Sequence, residues 1–148
     1  MRIGFGICGM LKYIMSTKIT WVNGCFDVLH IGHIKLFQKA WELGNPVVVG
    51  IDGDNRIRQS KGEDRPINPL HDRISFLKSI KYIKEVVPFH SDEELNAIIK
   101  RFGPEYFVIG EEYKDKRIIG KEWCENIVYL PRYGDVSSSS IINGTHKT

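Results

Sequence analysis

Val47-Val48-Val49-Gly50-Ile51 is a run of five residues with no polar side chain. Gly44-Asn45-Pro46 stops it on one side and Asp52-Gly53-Asp54 on the other. A run so short and so uniformly apolar has no face suited to water. It reads as a strand of a parallel sheet covered by helices on both sides. The flanking segments supply the covers. Before it, Ile34, Phe37, Ala40 and Trp41 recur at helical spacing, with Leu36 and Leu43 widening the stripe. Further upstream, Lys18–Asn23 is a short β-favouring run, followed by a turn at Gly24–Asp27. After it, residues 52–70 are polar and rich in Gly and Pro, which reads as a long connection. Asn68 and Pro69 read as N-cap and first position of a helix whose buried stripe is Ile74, Leu77 and Ile80.

The alternation continues to the C-terminus. Glu85–Phe89 is a strand that Pro88 places at an edge or a strand end. Ser91 and Glu94 form a capping box ahead of Leu95, Ile98, Ile99 and Phe102, and Gly103-Pro104 closes that helix. Phe107–Ile109 and Ile127–Leu130 are two further strands, and Ser137–Asn143 is a short helix. The fold class is therefore α/β: a doubly wound, mostly parallel sheet in a single domain. Ligands of such sheets gather outside the carboxyl ends of the strands. That places the Gly24–His33, 52–66 and 110–117 loops at the binding edge.

Composition narrows the function classes. The chain has 148 residues, 42% hydrophobic and 26% charged, with a net charge of +3. That is enough chain for a core without disulfides. The charge suits anionic ligands, but with no basic tail it argues against a nucleic-acid partner. Cys8, Cys25 and Cys124 are an odd number at wide spacing, which points to a reducing, cytoplasmic setting and away from a structural zinc. Residues 1–15 are apolar but too short and too interrupted by Gly4, Gly6 and Gly9 to span a membrane. They read as an N-terminal extension, with Met15 as the natural start and residues 16–148 as the domain. Gly4 to Gly9 spell GxGxxG, but no strand of any length precedes them, so they make no dinucleotide fingerprint.

The strongest chemical signal is Gly24-Cys25-Phe26-Asp27-Val28-Leu29-His30-Ile31-Gly32-His33. It begins where a strand ends and runs into a helix. His30 and His33 are three apart, so one helical turn brings both imidazoles to one side. Gly32 lets backbone approach a bulky ligand closely. Peptide N–H groups at the helix start would face the same ligand, an arrangement that suits phosphate. Asp27 with the two histidines would alternatively make a three-ligand metal set. Phosphate is the preferred reading. Lys61, Arg65 and Arg73 lie on or beside the 52–70 connection and read as a cationic clamp for phosphate charge. Ser137, Ser138 and Ser139 offer hydroxyls to a second phosphate.

These residues resemble the GxFDxxHxGH signature of the cytidylyltransferase-like nucleotidyltransferases, through Gly24, Phe26, Asp27, His30, Gly32 and His33. The resemblance extends over about residues 18–143. It implies a Rossmann-like nucleotidyltransferase fold and transfer of a nucleotide monophosphate from ATP or CTP to a small phosphorylated acceptor, releasing pyrophosphate. It also implies Mg²⁺ carried with the triphosphate, with Asp27 nearby, and a homodimer. His30, His33, Lys61 and Arg73 are then the catalytic set. Gly24, Cys25, Phe26, Asp27, Gly32, Arg65, Gly110, Arg132, Val136, Ser137, Ser138 and Ser139 are the nucleotide- and phosphate-binding set.

Two branches of the family are represented. Lys61, Gly62–Leu70 (GEDRPINPL) and Asp72-Arg73 resemble the branch that adenylylates glycero-manno-heptose 1-phosphate. Tyr129–Arg132 and Arg132–Ser139 (RYGDVSSS) are similar to the branch that cytidylylates glycerol 3-phosphate, with Tyr133 in place of a threonine. The acidic residue expected after Gly110 is Glu111 or Glu112. The heptose-type match is longer and makes ATP the preferred nucleotide. A non-catalytic nucleotide-binding regulatory domain is the reading from a different functional class.

Overall fold

The computed structural model describes residues 18–134 and 137–144. The expected N-terminal extension, the Gly4–Gly9 motif, Cys8 and Val136 lie outside them. Five strands form one sheet: β1 Thr20–Gly24, β2 Val47–Asp52, β3 Ile83–Phe89, β4 Tyr106–Gly110 and β5 Asn126–Leu130. Their order is β3-β2-β1-β4-β5, and every pairing is parallel. The chain winds outward from β1 in both directions, which makes the carboxyl ends of β1 and β4 the switch point. β3 is an edge strand, so Pro88 removes no bond from the sheet interior, as its presence in the run anticipates.

Five helices cover the sheet: α1 Ile31–Glu42, α2 Asp54–Lys61, α3 Leu70–Lys78, α4 Asp92–Phe102 and α5 Ser138–Ile142. Side chains along β2 alternate between two cores. Val47, Val49 and Ile51 pack with Phe37, Ala40 and Leu77 from α1 and α3. Val48 packs on the other face with Trp21, Phe107, Leu95 and Ile99, the last two from α4. Gly50 faces this second core. A Cβ there would overlap the Trp21 ring, so the glycine is what admits the indole. Trp21 is fully buried, and its Nε1–H donates to Asn23 Oδ1 at 2.8 Å.

Two local expectations are corrected. The 52–70 connection contains α2, a helix in which Ile57 is the buried residue. One apolar position in eight leaves no stripe for periodicity to register. The cap of α3 is Pro69, and the helix begins at Leu70. Asn68 donates its Nδ2–H to the Asp27 carbonyl at 2.7 Å instead of capping. Ser91 does cap α4, accepting from Glu94 N at 3.1 Å, while Glu94 reaches His90 N.

Candidate functional site: a cavity at the switch point

A cavity of about 900 Å³ opens at the carboxyl edge of the sheet. It extends from Asp52 at the end of β2, past Gly24 and Gly110, to Arg132 after β5. Its floor is shaped by the turn after β1. Phe26 has φ +48, a left-handed conformation rarely adopted by a bulky residue. The turn is held by its ring, which sits 5.2 Å from the Phe37 ring and edge-on to His33 at 5.3 Å. Gly24 packs under the same ring, where a Cβ would come within 3.1 Å.

The two histidines form the start of α1 in a particular way. His30 is the N-cap, and its Nδ1 accepts from Gly32 N at 3.1 Å. His33 Nδ1 accepts from His30 N at 3.3 Å. Their rings stack with centroids 3.8 Å apart. A neutral imidazole that accepts at Nδ1 carries its proton at Nε2. Both side chains line the cavity and bring to it two Nε2–H donors of fixed tautomer. Burial, with His30 and Lys61 nearby, lowers the His33 pKa to about 3, so this ring is neutral at physiological pH. Gly32 N and His30 N are engaged by the imidazoles, and Gly32, which has only backbone to offer, also lines the cavity.

Asp27 is 1% exposed. Its carboxylate accepts from Arg65 Nε at 2.8 Å, Ile67 N at 2.9 Å and Asn68 N at 3.0 Å. Burial alone would raise its pKa, but the Asn68 and Ile67 N–H groups and the Arg65 guanidinium outweigh that and hold it below the usual value. These contacts fasten residues 65–68 to the β1 turn, and Asp27 lies in the cavity lining. Among the described residues, no group of three His, Cys, Asp or Glu side chains is placed to hold a metal.

Arg73 stands apart from the cavity lining. It is fully buried. Its Nε donates to Asn68 O at 2.9 Å, its Nη1 to Cys25 O at 2.9 Å and Asp52 O at 2.7 Å, and its Nη2 pairs with Asp54 at 2.6 Å. It ties the ends of β1 and β2 to α2 and to the residue 68 turn, and it does not touch the cavity. Arg65 also acts from behind: besides Asp27, its Nη1 reaches Ser139 Oγ at 3.4 Å.

The other expected residues do line the cavity. Lys61, the last residue of α2, contributes a cation felt at both His33 and Cys25. Cys25 is a protonated thiol, its pKa raised to about 11 by burial and by Asp52. Gly32, Gly110 and Arg132 line the cavity too, and Glu112, folded over Gly110, is the acidic residue that faces it. Ser137, Ser138 and Ser139 line the far side at the start of α5, with Ser138 Oγ donating to Val28 O at 2.6 Å. Three charged lining residues escaped the sequence reading: Lys35, Lys39 and Asp52. The two lysines are four apart on α1, and Asp52 ends a strand at the binding edge, so both signals were legible in principle.

Comparison with known proteins agrees with this fold. The chain is 37% identical to the bifunctional protein HldE of Helicobacter hepaticus over 139 residues, covering 94% of this chain and 29% of that protein. It is 39% identical to the bifunctional protein HldE of Nitratiruptor sp. over 127 residues, 84% of this chain and 27% of that one. The chain thus spans under a third of the length of these relatives. The lipopolysaccharide core biosynthesis protein of Thermoplasma volcanium shares the fold, with TM-score 0.65 and 23% identity over 80% of this chain and 99% of that one. A family model described as cytidylyltransferase-like matches residues 21–144, from β1 through α5, and the chain belongs to the cytidylyltransferase-like family.

Proposed function

We propose that this domain transfers a nucleoside monophosphate from a nucleoside triphosphate, ATP by preference, to a small sugar phosphate such as glycero-manno-heptose 1-phosphate, releasing pyrophosphate. The observation that carries this reading is the stacked histidine pair, with both Nδ1 atoms tied to backbone N–H groups and both rings in the cavity wall. Donors held in place by backbone contacts suit a reaction in which charge moves among phosphate oxygens and no proton need be transferred.

The chemistry is an in-line displacement. An oxygen of the acceptor phosphate, already ionised, bonds to the α-phosphorus. The bond from that phosphorus to the bridging oxygen breaks, and pyrophosphate leaves with the electron pair. A general base is dispensable. His30 and His33 donate to non-bridging oxygens through Nε2–H, and Lys61 offers a cation to the same charge. Asp27, Arg65 and Arg73 are positioning residues that hold the turn, the 65–68 segment and α2 around the cavity. Mg²⁺ would arrive on the triphosphate, its usual mode of binding where substrate phosphates supply most ligands. A homodimer and a cytoplasmic setting complete the reading. The exposed side chains of Trp41 and Phe76 give a dimer apolar surface to use, and no helix among the described residues is long and apolar enough to cross a membrane.

The test is pyrophosphate release with ATP and CTP crossed against heptose 1-phosphate and glycerol 3-phosphate. ATP with heptose 1-phosphate is expected to be the productive pair, and His33→Ala is expected to reduce turnover more than tenfold in a folded protein. Preference for CTP with glycerol 3-phosphate would replace the substrate assignment. Wild-type turnover in the folded variant would remove the histidines from the mechanism, and absence of release with every pair would favour a regulatory nucleotide-binding domain.

A further inference from the structure

The cavity is built for anions, yet Asp52 presents a carboxylate to it. The placement is enforced from behind. Arg56 Nε donates to Asp52 Oδ1 at 2.6 Å, and Arg56 Nη1 pairs with Asp92 at 2.5 Å. The Arg56 guanidinium also lies 5.4 Å from the Phe89 ring centroid. Three elements, α2, α4 and β3, thus fix the orientation of one carboxylate at the end of β2. Its other oxygen, Oδ2, accepts from the Cys25 thiol at 3.4 Å. A thiol is a weak donor, so Oδ2 keeps most of its capacity to accept. The Asp52 side chain is 16% exposed, and that exposure adjoins the cavity.

A carboxylate beside a phosphate-binding cavity repels phosphate, so its use must lie in a different part of the ligand. Carboxylates are strong acceptors for hydroxyl groups, and one oriented carboxylate can receive two vicinal hydroxyls. Asp52 stands just before α2 and Lys61 ends it, and both line the cavity, so a hydroxyl acceptor and a phosphate-binding cation stand together there, the two needs of a polyhydroxylated phosphate ester. We propose that Asp52 is a specificity residue for the acceptor, receiving hydroxyls of a polyhydroxylated phosphate ester, with Arg56 as its positioning residue. Lys61 then takes the phosphate of the same molecule. This rests on the nucleotidyl-transfer reading for its kinetics but makes a binding prediction independent of turnover.

The experiment compares wild type, Asp52→Asn and Arg56→Gln by calorimetry with heptose 1-phosphate and with cyclohexyl phosphate, a ring phosphate without hydroxyls. Wild type is expected to bind the heptose ester at least tenfold more tightly than the cyclohexyl ester. Asp52→Asn is expected to lose that preference while binding cyclohexyl phosphate as well as wild type or better. Arg56→Gln, remote from the ligand, is expected to lose part of the preference, and it carries the test if Asp52→Asn does not fold. In steady-state assays, Asp52→Asn should raise KM for the acceptor about tenfold and leave KM for the nucleotide within twofold. No hydroxyl preference in wild type, a preference retained in the folded variants, or a rise confined to the nucleotide KM overturns the assignment. If wild type transfers no nucleotide to any acceptor yet shows the binding preference and its loss, the transfer reading fails and the Asp52 assignment stands.

Discussion

Replacing Arg73 with Met separates a buried staple from a phosphate clamp. The side chain is fully buried and serves three backbone carbonyls, of Asn68, Cys25 and Asp52, together with the Asp54 carboxylate. Methionine fills similar space and returns about 1–2 kcal/mol through apolar burial. Against that, three carbonyl oxygens and one carboxylate lose their donors, at about 1–3 kcal/mol for each group left unsatisfied. Water can reach Asp54, whose side chain is 32% exposed, so the loss there falls at the low end. The net expectation is about 3–5 kcal/mol, in line with removing one partner of a buried ion pair. At roughly 3 °C per kcal/mol for a domain near 150 residues, the melting temperature should fall by about 10–15 °C. Urea denaturation of the ligand-free protein at pH 7 measures this directly. A variant within about 1 kcal/mol of wild type would refute the staple argument. A variant equally stable without ligand but no longer stabilised by ATP would restore Arg73 as a phosphate contact.

Three further outcomes follow from the same contacts. His33 has a folded pKa near 3 against an unfolded value of 6.5, so the unfolded chain takes up a proton first as pH falls. Stability therefore declines below about pH 6.5 by roughly 1.4 kcal/mol per unit, and between pH 7 and 5 wild type should lose about 2 kcal/mol more than His33→Asn in urea melts. Equal losses in the two proteins would count against the neutral buried ring. Asp27 has a lowered pKa, so its contribution is present above the unfolded value of 3.8 and is lost as pH falls through the folded one. Asp27→Asn should cost about 1–3 kcal/mol at pH 7, and the gap to wild type should narrow below pH 4, as thermal melts across that range would show. Gly50→Ala places a methyl against the Trp21 ring in a closed core. It should cost about 1–3 kcal/mol and shift the buried tryptophan's fluorescence, and an unperturbed melt would show that the indole can yield.

What the sequence disclosed and what it concealed divide along a physical line. The strands and the amphipathic helices α1 and α4 were legible because their apolar period is a local property, carried by neighbours such as Val47–Ile51 or Leu95, Ile98 and Ile99. The histidine pair was legible for a related reason, since an N-cap residue and the third residue of its helix face each other in a capping box. α2 was hidden because one inward residue, Ile57, makes no period. The roles of the charged residues were hidden because they are decided by partners distant in the chain. Asp27 meets residues 65–68, and Arg73 meets the carbonyls of residues 25, 52 and 68, only in the folded chain. Arg56, Arg65 and Arg73 each pair with an aspartate, and each such pair fastens one piece of the loop layer to another. The cations that line the cavity are instead Lys35, Lys39, Lys61 and Arg132. Composition counts all seven alike. Lysine's flexible stem suits a site that must accept a triphosphate and later release pyrophosphate, while the planar, multiply donating guanidinium suits permanent joints. That division fits the three cavity lysines and the three arginines behind them, with Arg132 the exception at the cavity.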